Sequence, residues 1–246
     1  ETFAIMKLRG QRSLISGCMG GVLAISFLFQ IFAYSPLSDD RIVFVDVGQG
    51  DSVHISSHGM DVLIDGGGSI GYNVGKKTLK PYLLKNGAAD IDLALATHQH
   101  MDHMKGLEEL QEVYPVKKLM TGLTAGTEIN VNKDVKIQTL WPESIPENEG
   151  QDANSLCSVF MIFYKEYRIL VTGDLDEKGE KMMLEKYSKT DALAADVLKI
   201  GHHGSPTSTC DEFLEAVNPT YAVIQTGKNN YGHPSPKIIE KCVEKG

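Results

Sequence analysis

Thr97-His98-Gln99-His100-Met101-Asp102-His103 places four potential metal ligands within six residues, in the pattern His-x-His-x-Asp-His. The apolar run Ile91-Asp92-Leu93-Ala94-Leu95-Ala96 precedes it and predicts a buried strand. A strand delivers side chains to its C-terminal edge, and the turn that follows can gather several of them around one point. Neutral imidazole together with carboxylate suits zinc, manganese or iron, so the stretch predicts a catalytic metal centre. A polar loop that happens to be rich in histidine is the plainer alternative. Three histidines and an aspartate at this spacing, directly after a strand, argue against it.

Other apolar runs end in comparable side chains. Arg41–Val47 leads to Gly48-Gln49-Gly50-Asp51, Ser52–Ser56 alternates as a strand should, and Val62–Ile64 stops at Asp65-Gly66-Gly67-Gly68. The glycine turns are expected to let the chain and the metal loop pack closely. His54 and His58 read as surface residues of a hairpin. Further strands are expected at Lys117–Met120, Ile137–Leu140, Val159–Tyr164, Arg168–Val171, Asp196–Ile200 and Tyr221–Gln225. Helices are expected at Thr78–Lys85, Met104–Val113, Glu177–Tyr187, Cys210–Val217 and Ser235–Glu244, and a Pro- and Glu-rich loop at Trp141–Asp152. Four strand ends thus carry His98 to His103, Asp174, His202-His203 and His233. Two sheets flanked by helices could bring these ends to one edge. Asp174 reads as a carboxylate between two metals, which such a group holds roughly 3.5 to 4 Å apart.

Composition sets the outer bounds. The chain has 246 residues, 42% hydrophobic, with a net charge of −8. Residues 1–38 hold Lys7, Arg9 and Arg12 against Glu1, leaving 21 basic and 31 acidic residues beyond them. That balance disfavours a broad nucleic-acid-binding surface but not a narrow phosphodiester site. Cys18, Cys157, Cys210 and Cys242 form no Cys-x-x-Cys pair, so neither a disulfide framework nor a thiolate zinc site is indicated. Leu14–Tyr34 is uncharged and as a helix would span about 31 Å, the thickness of a bilayer core. The expected organisation is a basic flank at 1–13, a transmembrane helix at 14–34, a linker at 35–40 and a hydrolase domain at 41–246. Basic residues before the helix put the N-terminus in the cytoplasm and the domain outside it. A start at Glu1 and a stop at Gly246 suggest a piece of a longer protein.

The motifs Asp46-Val-Gly48-Gln49-Gly50-Asp51-Ser52, Leu63-Ile-Asp65-Gly66-Gly67, Leu198-Lys199-x-x-His202-His203-Gly204-Ser205 and Tyr231-Gly232-His233-Pro234 join the histidine stretch and Thr172-Gly173-Asp174. Together they resemble the metallo-β-lactamase-fold hydrolase domain of ComEC-type DNA-uptake proteins. The resemblance covers residues 41–246 almost continuously. It implies an α+β, four-layer αββα sandwich following membrane helices, and two divalent ions, Mn2+ or Zn2+. His98 and His100 would hold the first ion, Asp102, His103 and one of His202 and His203 (His203 by preference) the second, with Asp174 between them. Many relatives place a further histidine where this chain has Asn154, whose carbonyl oxygen is a harder and weaker ligand and tilts the site toward manganese. Asp102 would orient a water, His202 would face substrate, and His233 would stabilise charge. Lys199 and Ser205 are candidate substrate contacts, although a surface lysine is the plainer reading of Lys199. Asp51 and Asp65 would accept imidazole N–H bonds and fix ligand tautomers.

The resemblance implies a metal-dependent phosphodiesterase or nuclease degrading DNA during uptake in natural transformation. Its partners would be single-stranded DNA, the cell membrane through one helix, and a channel domain of the same or another chain. A cell-surface phosphodiesterase, such as a phosphorylcholine or teichoic-acid esterase, shares the motifs. A choline site needs an aromatic cage, however, and the chain has a single Trp. A metal-stabilised, non-catalytic domain of a channel is the third reading.

Overall fold

Period-two alternation sorts the strand side chains into two faces, and that sorting builds the layers. In strand β8, Val159–Tyr164, Phe160 and Ile162 face one apolar cluster while Val159 and Met161 face another. In β3, Met60–Ile64, Val62 and Ile64 join the first of these clusters and Leu63 a third. Two mixed sheets result. One has the order β1-β2-β3-β4-β5, adding Arg41–Phe44, Val53–Ser57, Leu93–Leu95 and Leu119–Met120 to β3. The other has the order β11-β10-β9-β8-β7-β6, adding Glu128–Asn130, Val135–Trp141, Tyr167–Val171, Val197–Lys199 and Tyr221–Val223 to β8. This computed structural model describes residues 40–145 and 153–245.

Helices cover the outer faces. Helix α1, Lys80–Lys85, with the π-helical turn Gly75–Leu79 before it, and α2, Met101–Gln111, pack on the first sheet through Leu79, Leu83, Leu107 and Leu110. Helices α3, Glu177–Tyr187, α4, Asp211–Val217, and α5, Pro236–Glu244, pack on the second through Met183, Phe213, Leu214 and Ile238. The central cluster, with Val53, Ile55, Leu95, Ile137 and Val171, lies between the sheets. Helix, sheet, sheet and helix follow one another, a mixed α/β sandwich of four layers. The apolar run at 14–34 and residues 146–152 of the expected loop lie outside the described residues. Among the described residues no helix is long and apolar enough to cross a membrane.

Most expected elements form within one to three residues of their predicted bounds. His54 departs from expectation: it is fully buried, not on the surface. Its strand is covered on both faces, and its ring meets Tyr82 Oη at 3.1 Å and Asp61 Oδ1 at 3.0 Å. Trp141 is buried at its loop base and donates Nε1–H to the Ser155 carbonyl. Glu180 on α3 accepts from the backbone N–H groups of Thr209 and Cys210, capping the start of α4 from another helix. Burial nevertheless pushes its carboxyl up to about 7.

The start of α2 matters most for the site. Expected at Met104, it begins at Met101, with His100 as an extended N-cap that makes no side-chain cap bond. No Ser, Thr, Asp or Asn marks the start, so the ordinary signal is absent. Asp102 and His103 therefore sit on the first helical turn. That turn lies directly against the glycine loops: Gly66 N–H donates to His103 O, Gly106 N–H to Gly67 O, and Asp51 N–H to Asp102 O. A Cβ at Gly106 would stand 1.9 Å from Gly66 O, and one at Gly68 would stand 2.0 Å from Met101 O. Alanine at a helix-interior glycine normally gains about 1 kcal/mol. Here Gly106→Ala should instead destabilise by about 1–3 kcal/mol through overpacking, seen as a lower thermal midpoint. Glu108→Ala, on the exposed side of the same helix, serves as the unchanged control. A Gly106→Ala protein as stable as wild type would contradict the close approach.

Candidate metal centre

The parallel strands β3, β4, β9, β10 and β11 deliver their C-terminal ends to one edge. Asp65 follows β3, Thr97 and His98 follow β4, Asp174 follows β9, His202 and His203 follow β10, and Gln225 follows β11. Asp174 stands at the middle. Its Oδ1 lies 3.1 Å from His103 Nε2 and 3.4 Å from His203 Nε2, while its Oδ2 lies 3.8 Å from His98 Nε2 and from His202 Nε2. His203 Nε2 is also 3.2 Å from Asp102 Oδ2. Two neighbouring sets of donors emerge, His98–His100–Asp174 and Asp102–His103–His203, each with ligand atoms within 4.8 Å of one another. A third set, Asp51–His103–Asp174, shares their members.

The donors fit divalent ions by a test independent of the motif. Nε2 of His98, His103 and His203 and Oδ1 of Asp174 are buried and make no hydrogen bond within the protein. Buried polar atoms left without a hydrogen bond cost about 1–3 kcal/mol each, so several converging on one place point to a group that satisfies them all. Electrostatics agree. Burial raises the Asp174 carboxyl, but the His103 and His203 rings and Lys199 outweigh it and hold Asp174 well below the usual carboxylate range. Burial, reinforced by the His103 ring, keeps the His98 imidazole well below its ordinary value and so neutral. His103 and His203 are raised against the effect of burial, His103 chiefly by Asp174 and Asp65, and His203, to about 9, chiefly by Asp51 and Asp102. The pocket carries enough negative charge to hold positive charge on its imidazoles.

Tautomers are set from behind. His103 Nδ1 bonds Asp65 Oδ2 at 2.9 Å, which turns Nε2 toward Asp174. Asp65 also accepts from Thr97 N and Thr97 Oγ1, both at 2.8 Å, and Thr97 Oγ1 meets His98 Nδ1 at 3.0 Å. His203 Nδ1–H donates to the Gln225 carbonyl at 3.0 Å, with Asp51 Oδ1 at 3.3 Å. His202 and His203 both adopt left-handed backbone, φ 48° and 54°, which directs two consecutive rings to one carboxylate. Such residues cost roughly 1–3 kcal/mol each and persist where the surroundings hold them. His202 is the more exposed ring, and the half-buried His233 lies 5.5 Å from it. Asn154 sits half-buried on the turn Ala153–Leu156, just before Ser158, whose N–H bonds Thr97 O.

Lys199 and Ser205 depart from expectation. Lys199 is neither a surface lysine nor a substrate contact: it is fully buried, paired with Asp51 and bonded to Gly173 O at 3.0 Å. It offsets one of the crowded carboxylates. Losing one partner of such a buried pair costs about 3–5 kcal/mol. Ser205 is buried with its hydroxyl on Thr207 Oγ1 at 2.9 Å, because the left-handed turn points it inward. Thr97 and Gln225 were not singled out in the sequence. Gln225 holds Val45 O and Ser52 O through Nε2 as well as His203 through its carbonyl, tying the first sheet to the second. A buried amide closing the apolar run Tyr221–Ile224 was the available signal.

Comparison with known proteins finds relatives of the motif and of most of the sequence. Residues 45–130 match the model of the metallo-beta-lactamase superfamily. ComE operon protein 3 of Bacillus subtilis is 30% identical over 94% of this chain and 34% of its own length. Recombination protein 2 of Haemophilus influenzae is 27% identical over 95% of this chain and 30% of its own length. Among solved structures, the subclass B3 metallo-beta-lactamase MEM-A1, isolated from a soil metagenome library, is 15% identical, covering 65% of this chain and 75% of that chain with a TM-score of 0.47. The chain spans about a third of the length of the curated relatives it matches. It carries a metallo-beta-lactamase superfamily motif within a sequence related over nearly its whole length to ComEC-type competence proteins.

Proposed function

We propose that the chain is a metal-dependent phosphodiesterase that cleaves DNA, held at the cell membrane through its apolar segment 14–34 with its catalytic domain outside the cytoplasm. The observation that carries the hydrolase reading is the pair of donor sets meeting at Asp174, with three imidazole Nε2 atoms and a carboxylate oxygen buried there without hydrogen bonds. His98, His100 and Asn154 would hold one ion, Asp102, His103 and His203 the other, with Asp174 shared. Divalent ions held there would lower the pKa of bound water from roughly 15.7 toward ~7, which would supply a nucleophile at neutral pH.

The protein's own residues supply the rest. Asp102 keeps part of its side chain exposed on the helix turn, which suits it to orienting a water as well as binding metal. His202 and His233 line the open side, where charge develops on the leaving oxygen. Tyr231 is 76% exposed with its ring 5.8 Å from that of His233, a face on which an unpaired base could stack. DNA as the substrate is supported by the relatives, whose names attach to competence and recombination. One tyrosine beside the site is too little for a choline cage.

Purified chain should cleave labelled single-stranded DNA with Mn2+ and stop when the metal is chelated. Asp174→Ala should lower the rate by about 10²–10³-fold or more, the scale of losing one strong electrostatic group. Cleavage of a small phosphodiester but not of DNA would favour the other ester. No cleavage with any ion, in protein that holds two metals, would overturn the enzyme reading.

Asn154→His should tighten zinc binding at the first site by about tenfold, the lower end of changes around metal ligands, and shift the Mn2+/Zn2+ preference toward zinc. Isothermal titration of metal-free protein measures both. Unchanged affinity and selectivity would remove Asn154 from the ligand set.

A further inference from the structure

A second cluster of ligand-type side chains lies at the other end of the sandwich. Asp40, His58 and Asp134 bring one nitrogen and two carboxylate oxygens within 4.8 Å of one another. His58 Nε2 is 2.5 Å from Asp134 Oδ2 and 3.6 Å from Asp40 Oδ2. The strand registers fix the location. His58 turns between β2 and β3, where Ser57 pairs with Met60. Asp134 precedes Val135, which pairs with Tyr164 at the start of the β8–β9 turn. Both turns lie at the ends of β3 and β9 away from Asp65 and Asp174. Asp40 enters β1 immediately before Arg41, which pairs with Ser56.

Hydrogen bonds outside the ligand atoms hold all three residues in place. His58 N–H donates to Asp40 Oδ1 at 2.8 Å, leaving Oδ2 toward the ring. Asn132 Nδ2 donates to Ser57 O, and Asn132 Oδ1 accepts from Asp134 N and Val135 N, so the turn of one sheet is docked on the turn of the other. Lys165 N–H bonds Asp134 O at 2.8 Å. Side-chain exposures of 42%, 17% and 25% for His58, Asp40 and Asp134 leave an ion a route in.

We propose that Asp40, His58 and Asp134 form a second, non-catalytic site for a zinc-class divalent ion that clips the two sheets together at the start of the domain. One imidazole and two carboxylates with room for water suit Zn2+ better than Mg2+ or Ca2+, which take oxygen ligands. With bonds of about 2.0–2.1 Å, tetrahedral ligands stand about 3.3 Å apart, so the His58–Asp134 contact opens by under ~1 Å on binding. The Lys165 ammonium, 3.6 Å from Asp40 Oδ2, competes for that oxygen and keeps the site weaker than the main centre.

The test counts zinc in the full chain, stripped with chelator and then dialysed against micromolar ZnCl2. Wild type should hold one more zinc per chain than His58→Asn, whatever number the main centre takes. Asparagine suits the left-handed φ of 50° at this position, so the turn survives the loss of the imidazole. Asp134→Asn, a second variant, should lose the same ion. Zinc should raise the thermal midpoint less in both variants than in wild type, and Lys165→Ala should bind it more tightly. Equal zinc content and equal zinc-induced stabilisation in wild type and both variants would overturn the proposal.

Discussion

The backbone of helix α2 touches the backbone of two glycine loops, and the metal-ligand arrangement follows from that contact. Gly66 and Gly67 exchange hydrogen bonds with His103 and Gly106, and there is no room between them for even a methyl group. The helix start is thereby fixed against the ends of β2 and β3, and it carries Asp102 and His103 to a set depth below the edge. Side-chain packing tolerates shifts of a few tenths of an ångström. Backbone contact without side chains does not, which suits residues that must meet a partner on the opposite sheet.

That partner is Asp174, and the electrostatics around it explain the surrounding polar residues. Asp51, Asp65, Asp102 and Asp174 converge in a largely buried space, which would be costly without compensation. Lys199 offsets part of the charge from within the second sheet, and the carboxylates raise the affinity of the His103 and His203 side of the pocket for positive charge. Asp65 and the Gln225 carbonyl then orient two rings so that their Nε2 atoms face Asp174 rather than their supports. Stability and function pull in different directions here. The protein is built to receive cations, and buried donors without hydrogen bonds are the cost.

Much of this was legible in the sequence, for reasons that can be named. The continuous apolar runs gave β8 and β9 nearly to the residue, and the ligand-type side chains stood out because each follows such a run. What the sequence hid was cross-element geometry. Nothing local says that Lys199, on a strand of mixed character, is buried against Asp51, or that His54 lies under Tyr82. The start of α2 was obscured because His100 does the work of an N-cap without a capping side chain. Gln225 carries no local sign of its role, since its partners Val45 and Ser52 lie some 170 to 180 positions earlier.

The central claim is that Asp174 stands between two ions, each completed by its own set of histidines. Anomalous diffraction from crystals of the chain grown with Mn2+ tests it directly. The account predicts two peaks flanking Asp174, one beside His98 and His100 and one beside Asp102, His103 and His203. A single peak, or peaks that leave Asp174 without contact to either ion, would contradict it.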